Sequence, residues 1–265
     1  MKTYANIWQD IVRIREKKPL IHNITNMVVM NATANALLAL GASPVMAHAP
    51  EEVEDMTGIA GALVINMGTL DARWVTSMKK AALHAKKLGK PVVFDPVGVG
   101  ATAYRTQVAK AFLEEFAPDI VRGNASEIMA LAGANGLTTK GVDSSHTAEA
   151  AHEAAKELSE GHGIVVVVSG STDYIVYKEK IAQIRNGMPM MAQVTGMGCT
   201  ATALCAAFAA VNPDYFEAAV GAMGVMGISG ENAGKLASGP GSLYVHFLDS
   251  LYQLEEKDIL KGLKI

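Results

Sequence analysis

Two hydrophobic periods alternate along this chain. Runs of four or five consecutive apolar residues are interleaved with longer stretches whose apolar positions recur every three or four residues, the signatures of buried strands and amphipathic helices. Residues 7–16 read as a helix. Residues 23–26 offer capping side chains to a helix over 27–40, which Gly41 stops. Short apolar strands follow at 43–47, 62–66 and 91–94, the last ending on Asp95, and Asp71 caps a helix that ends near Gly89. Residues 119–121 predict a fourth strand and 124–132 a short helix. A helix over 147–160 leads into 164–168, an almost wholly β-branched run suited to a strand buried on both faces. A polar-edged hairpin (174–177 and 181–185) precedes three long helices at 199–211, 214–232 and 242–254.

Strands alternating with helices predict an α/β fold, a mostly parallel sheet covered on both faces. No repeat or low-complexity linker interrupts the chain, so one domain over 1–265 is expected. In such sheets ligands bind where the strands end at their carboxyl side, and that is where the chemically interesting residues fall.

Composition narrows the function classes. The chain is 50% hydrophobic and 18% charged, a balance that excludes disorder. A net charge of −3 with no basic stripe gives no nucleic-acid footprint. The two cysteines, Cys199 and Cys205, make neither a disulfide framework nor a zinc spacing, which suits a reducing cytoplasm. The first residues lack the charged-then-apolar pattern of a signal peptide, and the run 199–211 is too short to span a bilayer.

The strongest chemical signal is Thr195-Gly196-Met197-Gly198-Cys199 ahead of an apolar helix. Glycines let backbone N–H groups approach a ligand closely, and a helix start adds unpaired donors and partial positive charge. Together these suit a phosphate, although a Gly-x-Gly before a helix also serves as a plain tight turn. Asp95-Pro96-Val97-Gly98-Val99-Gly100 ends a strand in a carboxylate, suited to a metal or a phosphate-bound water. The spacing Gly98, Gly100, Ala103 matches a dinucleotide fingerprint, as does Gly196, Gly198, Ala201; neither lies in a first strand–helix unit, and we reject that reading for both. Glu127 follows Asn124 at capping-box spacing, so it is either a second metal carboxylate or a helix cap. Arg122 after an apolar strand can clamp a phosphate or make a surface ion pair. Ser169-Gly170-Ser171 forms a small polar turn after another strand. His22-Asn23-Ile24-Thr25-Asn26 and Pro44-Val45-Met46-Ala47 supply polar groups and a thioether that could flank a flat heteroaromatic ring. His48 beside Met46 is open, and the scattered His84, His146, His152, His162 and His246 read mostly as solvated positions.

In this order, these segments resemble the hydroxyethylthiazole kinase family of thiamine salvage. The resemblance rests on 22–26, 44–46, Asp95-Pro96-Val97-Gly98, Arg122-Gly123-Asn124 with Glu127, and Val194-Thr195-Gly196-x-Gly198-Cys199, and runs from about residue 10 to 250. It implies a ribokinase-like three-layer fold and transfer of the ATP γ-phosphoryl group to 4-methyl-5-(2-hydroxyethyl)thiazole. It further implies magnesium and a homotrimer with sites between subunits. By motif, Asn26, Met46 and Gly196 would line the thiazole pocket, and Arg122, Ser169 and Gly198 would contact ATP. Asp95 and Glu127 would hold magnesium directly or through water. Cys199 would stand where the wider ribokinase-like group has a catalytic aspartate, as a base or as an orienting group. Many members carry threonine between the two glycines where this chain has Met197, a change that leaves a backbone anion hole intact. The alternatives are a hydroxymethylpyrimidine or sugar kinase, an ATP-dependent lyase of the same fold acting on damaged nicotinamide nucleotides, and a non-catalytic nucleotide sensor. A weakly polar, methionine-lined pocket disfavours a sugar, which demands buried polar partners.

Overall fold

Val165 and Val167 belong to one hydrophobic core, Val166 and Val168 to another. Ala62 and Val64 likewise face the first core, Leu63 and Ile65 the second. This period-2 alternation between two apolar faces is what a strand in the middle layer of three requires. In the computed structural model, which describes residues 2–133 and 144–265 apart from the side chains of 2–4 and 144–147, the strands form one sheet. They are β1 (Leu20–Ile24), β2 (Ser43–Val45), β3 (Ala62–Asn66), β4 (Val92–Asp95), β5 (Ile120–Asn124), β6 (Val165–Ser169), β7 (Asp173–Tyr177) and β8 (Lys180–Ile184). Their order is β2-β1-β3-β4-β5-β6-β7-β8; the first six are mutually parallel, and β7 and β8 add an antiparallel hairpin.

One face is covered by α1 (Lys2–Lys17), α2 (Met30–Leu40), α8 (Met197–Ala209), α9 (Tyr215–Gly234), α10 (Pro240–Gln253) and α11 (Glu256–Gly262). The other carries α3 (Val53–Ile59), α4 (Ala72–Lys87), α5 (Ala103–Phe116), α6 (Ala125–Leu131) and α7 (Ser144–His162). Caps explain several boundaries. Asp71 accepts a hydrogen bond from the Trp74 amide at the start of α4, and Gly41 closes α2 in the left-handed region at φ 111°. No helix among the described residues is long and apolar enough to cross a membrane.

The structure corrects the sequence reading at five places. Residues 20–24 are a strand between β2 and β3, not a prelude to a helix cap. Two polar residues hide it: buried His22 has its ring nitrogens 3.0 Å from Thr57 Oγ1 and 2.7 Å from the Ala47 carbonyl, and Asn23 Nδ2 donates to the Ile21 carbonyl. The helix expected from residue 27 starts at Met30, because Asn26 Oδ1 accepts the Val28 amide and turns the chain first. Helices α3, α5 and α11 form where the pattern predicts none; α5 starts three residues beyond Gly100 under a Thr102 cap and buries Ala109, Phe112 and Leu113.

Candidate active site

Parallel strands end at one edge, and the polar residues of this sequence gather there. Asn66 pairs in register with Asp95, and Asn124 with Ser169. Helix α8 starts over this edge. Its N-cap Gly196 has φ 84°, a conformation that favours glycine, and a Cβ there would come 3.0 Å from Val29. No side chain caps the first turn of α8, which contains Gly198 and Cys199.

A chain of amides and a carboxylate runs beneath this helix start. Asn26 Nδ2 donates to Asn66 Oδ1 at 2.8 Å and to Cys199 Sγ at 3.6 Å. Asn66 Nδ2 donates to Asp95 Oδ2 at 2.9 Å, and the Thr202 hydroxyl donates to the same oxygen at 2.7 Å. Asp95 is fully buried, and burial raises its pKa to about 6 against the opposing pull of Arg122 and Thr202. Its second oxygen, Oδ1, is buried without a partner among the described residues. Burial, reinforced by the Asp95 charge, pushes the Cys199 thiol up to about 11. The lowered pKa of a cysteine at a helix start is therefore not found here: Cys199 is a neutral thiol at physiological pH.

Arg122 lies against the other side of the helix start. Its Nη2 donates to Ser169 Oγ, and Nη1 is 4.0 Å from Asp95 Oδ2. Its Nε is buried with no partner among the described residues. A buried cation with donors still free is poised for an anion. Its ion pair is with a buried carboxylate rather than on the surface.

Glu127 makes the capping box that its spacing foretells: Oε2 accepts the Asn124 amide and Oε1 accepts the Gly98 amide, each at 2.9 Å. It fastens the turn after β4 to α6. Arg105, absent from the sequence reading, fastens the same turn from the other side, donating to the carbonyls of Val97, Met67 and Gly68. Asn66 and Thr202 were also not singled out; the signal for Asn66 is that it ends its strand as Asp95 ends the next.

A cavity of about 620 Å³ opens beside Arg122. Ser169, Gly170, Ser171 and Asp173 of the β6–β7 turn line it together with Gly198. Asp173 Oδ1 accepts the Gly170 amide, and burial raises its pKa to about 6. Five methionines, Met188, Met191, Met197, Met223 and Met226, line the remaining wall together with Asn186, Gly187, Pro189, Ala192, Ala201 and Gly227. The structure thus brings Arg122, Ser169 and Gly198 to one cavity, and Asn26, Asp95 and Cys199 to a cluster adjoining it. Gly196 joins the two, and half-buried Met46 follows β2 outside the cavity lining. Exposed His48 packs edge-on against Trp74, while His84, His152 and His246 are half-buried rather than solvated; the side chain of His146 lies outside the described residues.

No cluster of three or more His, Cys, Asp or Glu side chains able to hold a metal occurs among the described residues. Magnesium takes one or two carboxylates and completes its shell with water and phosphate, so a site for it needs no such cluster. Asp95 Oδ1 is the carboxylate oxygen there with no partner among the described residues, though buried, whereas both oxygens of Glu127 already accept backbone amides.

Comparison with known proteins agrees with this geometry. The model of the hydroxyethylthiazole kinase family matches residues 11–257. A hydroxyethylthiazole kinase from Syntrophus aciditrophicus is 56% identical over 263 residues, covering 99% of this chain and 97% of that protein. The structure of a hydroxyethylthiazole kinase protein from Pyrococcus horikoshii OT3 superimposes with a TM-score of 0.91 at 43% identity, covering 98% of both chains. A ribokinase-like superfamily protein from Enterococcus faecalis V583 shares the fold at a TM-score of 0.61 and 16% identity, over 88% of this chain and 86% of that one. The chain belongs to the hydroxyethylthiazole kinase family.

Proposed function

We propose that this protein is a kinase that transfers the γ-phosphoryl group of ATP to the hydroxyl of 4-methyl-5-(2-hydroxyethyl)thiazole. The observation that carries the reading is the division of the site by the start of α8. Arg122, with free donors, and the cavity lie on one side; the Cys199–Asn26–Asn66–Asp95 cluster lies on the other. Phosphoryl transfer needs chiefly positioning and charge neutralisation, and an arrangement of this kind offers both.

Arg122 and Ser169 would hold the nucleotide phosphates, and the free amides at Gly198 and Cys199 would receive the transferring group. Gly196, Asn26 and Met46 would seat the thiazole. Its hydroxyl oxygen bonds to the γ-phosphorus as the bond to the bridging oxygen breaks; ADP leaves with that electron pair, and the hydroxyl proton passes to a phosphoryl oxygen and on to water. Cys199 holds its proton, and Asn26 donates to its sulfur, so the S–H is free to point at the substrate. Its role is to orient the hydroxyl rather than to take the proton. Magnesium bound with the nucleotide would neutralise phosphate charge, held by Asp95 through its free oxygen and by Glu127 through water.

We also propose a cytoplasmic homotrimer with sites between subunits. Met27 and Val28, directly after Asn26, are 67% and 64% exposed, an apolar strip beside the substrate position that a second copy would cover. Light scattering gives the mass in solution. For the activity, the test is mass-spectrometric detection of thiazole phosphate after incubation with ATP, magnesium and the thiazole alcohol. Its absence, with ATP bound, would turn the assignment toward a lyase or a sensor.

A further inference from the structure

The polar side chains of the cavity gather around Arg122. Ser169 is its hydrogen-bond partner, Ser171 and Asp173 follow in the same turn, and Asp173 feels the Arg122 charge. The rest of the cavity is built from Met197, Gly198 and Ala201 at the start of α8, segment 186–192 and one face of α9. Gly227, Gly230 and Gly234 line that face, and a Cβ on them would collide with Asn186, Met191 and Met188 respectively. The segment is therefore seated in a glycine groove of the helix, with the thioethers of Met188 and Met191 laid against its backbone and Met223 and Met226 beside them.

The side chain of Asn186 and several backbone groups of this seated segment are already engaged. Asn186 Nδ2 donates to Glu231 Oε1 at 3.2 Å and to the Gly262 carbonyl at 2.7 Å, and its Oδ1 accepts the Lys264 amide at 2.7 Å. The Gly187 amide donates to Glu231 Oε1, the Met191 amide to the Met188 carbonyl, and Pro189 has no N–H. What this part of the cavity offers a planar ring is polarizable sulfur and methyl groups, a surface that adapts to many shapes.

We infer that the cavity takes a nucleoside triphosphate without regard to its base, so that GTP, CTP and UTP serve as phosphoryl donors beside ATP. This rests on the cavity's being the nucleotide site. The chemistry is unchanged: the γ-phosphoryl group passes to the thiazole hydroxyl and the corresponding diphosphate leaves. Apolar fit alone discriminates by about 10²-fold at most, whereas a site built to hydrogen-bond a ligand edge rejects the wrong one by about 10⁴–10⁵-fold.

The test is the wild-type protein with magnesium, the thiazole alcohol and each of ATP, GTP, CTP and UTP in turn. Thiazole phosphate is measured directly by mass spectrometry, because coupled assays for ADP are themselves base-selective. The expected result is kcat/KM within about 10²-fold across the four donors, the spread that apolar fit allows. A wider spread, with ATP active, overturns base indifference and leaves the proposed kinase reaction standing. No turnover with any of the four overturns both.

Discussion

A methyl group placed on Gly198 would lie 2.6 Å from Arg122 Nη1 and 3.0 Å from Nη2. The start of α8 and the guanidinium are in direct contact, so the helix that presents backbone amides also sets the position of the cation. The second glycine of the motif is thus explained by a close approach of side chain to backbone, since only the first, Gly196, has a positive φ.

Gly198→Ala should therefore displace Arg122. A charge-assisted hydrogen bond contributes about 1.5–3 kcal/mol, so the KM for ATP should rise about tenfold or more. Gly161→Ala, where a Cβ meets nothing within 4 Å, is the control and should leave KM unchanged. An unaltered ATP KM in Gly198→Ala would separate Arg122 from nucleotide binding.

Cys199 is held as a thiol, its pKa pushed up to about 11. If it orients the hydroxyl, Cys199→Ala should lower kcat by about tenfold, with wild-type and variant kcat both flat between about pH 7 and 9. General-base catalysis is instead worth about 10²–10⁴-fold and leaves a titrating limb. A loss of that size, accompanied by such a limb in the wild type, would make the thiol the base.

Asp95 titrates at about 6 in the free protein, above the ordinary 3.8, chiefly because it is buried. A raised carboxyl pKa means that the proton outcompetes a cation at a higher pH than usual. Above pH 6 the carboxylate is free for magnesium; below it, the apparent magnesium affinity should fall about tenfold per pH unit. Titrating magnesium into the assay at several pH values between 7.5 and 5, on protein shown to be folded at each, checks this. A magnesium requirement constant over that range would exclude Asp95 as the holder.

Gly230 carries the Met191 thioether against its backbone. Gly230→Ala should drive Met191 into the cavity, because thioethers yield more readily than a helix backbone. The KM for the nucleotide should rise severalfold while the KM for the thiazole stays constant. A rise in thiazole KM alone would place the thiazole, not the nucleotide, beside Met191.

Much of the layered fold was legible because its strands are pure apolar runs: β3 and β6 contain no polar residue before their last position. β1 was not, since His22 and Asn23 interrupt its run and find their partners on Thr57, Ala47 and Ile21, contacts that only the folded chain creates. α5 carries a helical apolar spacing at Ala109, Phe112, Leu113 and Phe116, but the glycine-rich turn ahead of it masks where the helix begins. In the site, the glycines and strand-ending carboxylate announce themselves through backbone chemistry. Asn66, Thr202 and Arg105 do not, because their meaning comes from sheet register and from side chains reaching across loops. For Asn26 and Met46 the residues themselves offer a polar group and a thioether suited to a flat ring; the thiazole as that ring comes from the family resemblance.

The most direct test of the central claim is a comparison of kcat/KM, with ATP and magnesium, for four substrates: the thiazole alcohol, hydroxymethylpyrimidine, ribose and a hydrated nicotinamide nucleotide. The account predicts that the thiazole alcohol is preferred by about 10²-fold or more over each of the others, with one phosphorylated thiazole formed per ADP released. Preference for another alcohol, or ADP release with inorganic phosphate from the nicotinamide nucleotide, would contradict it.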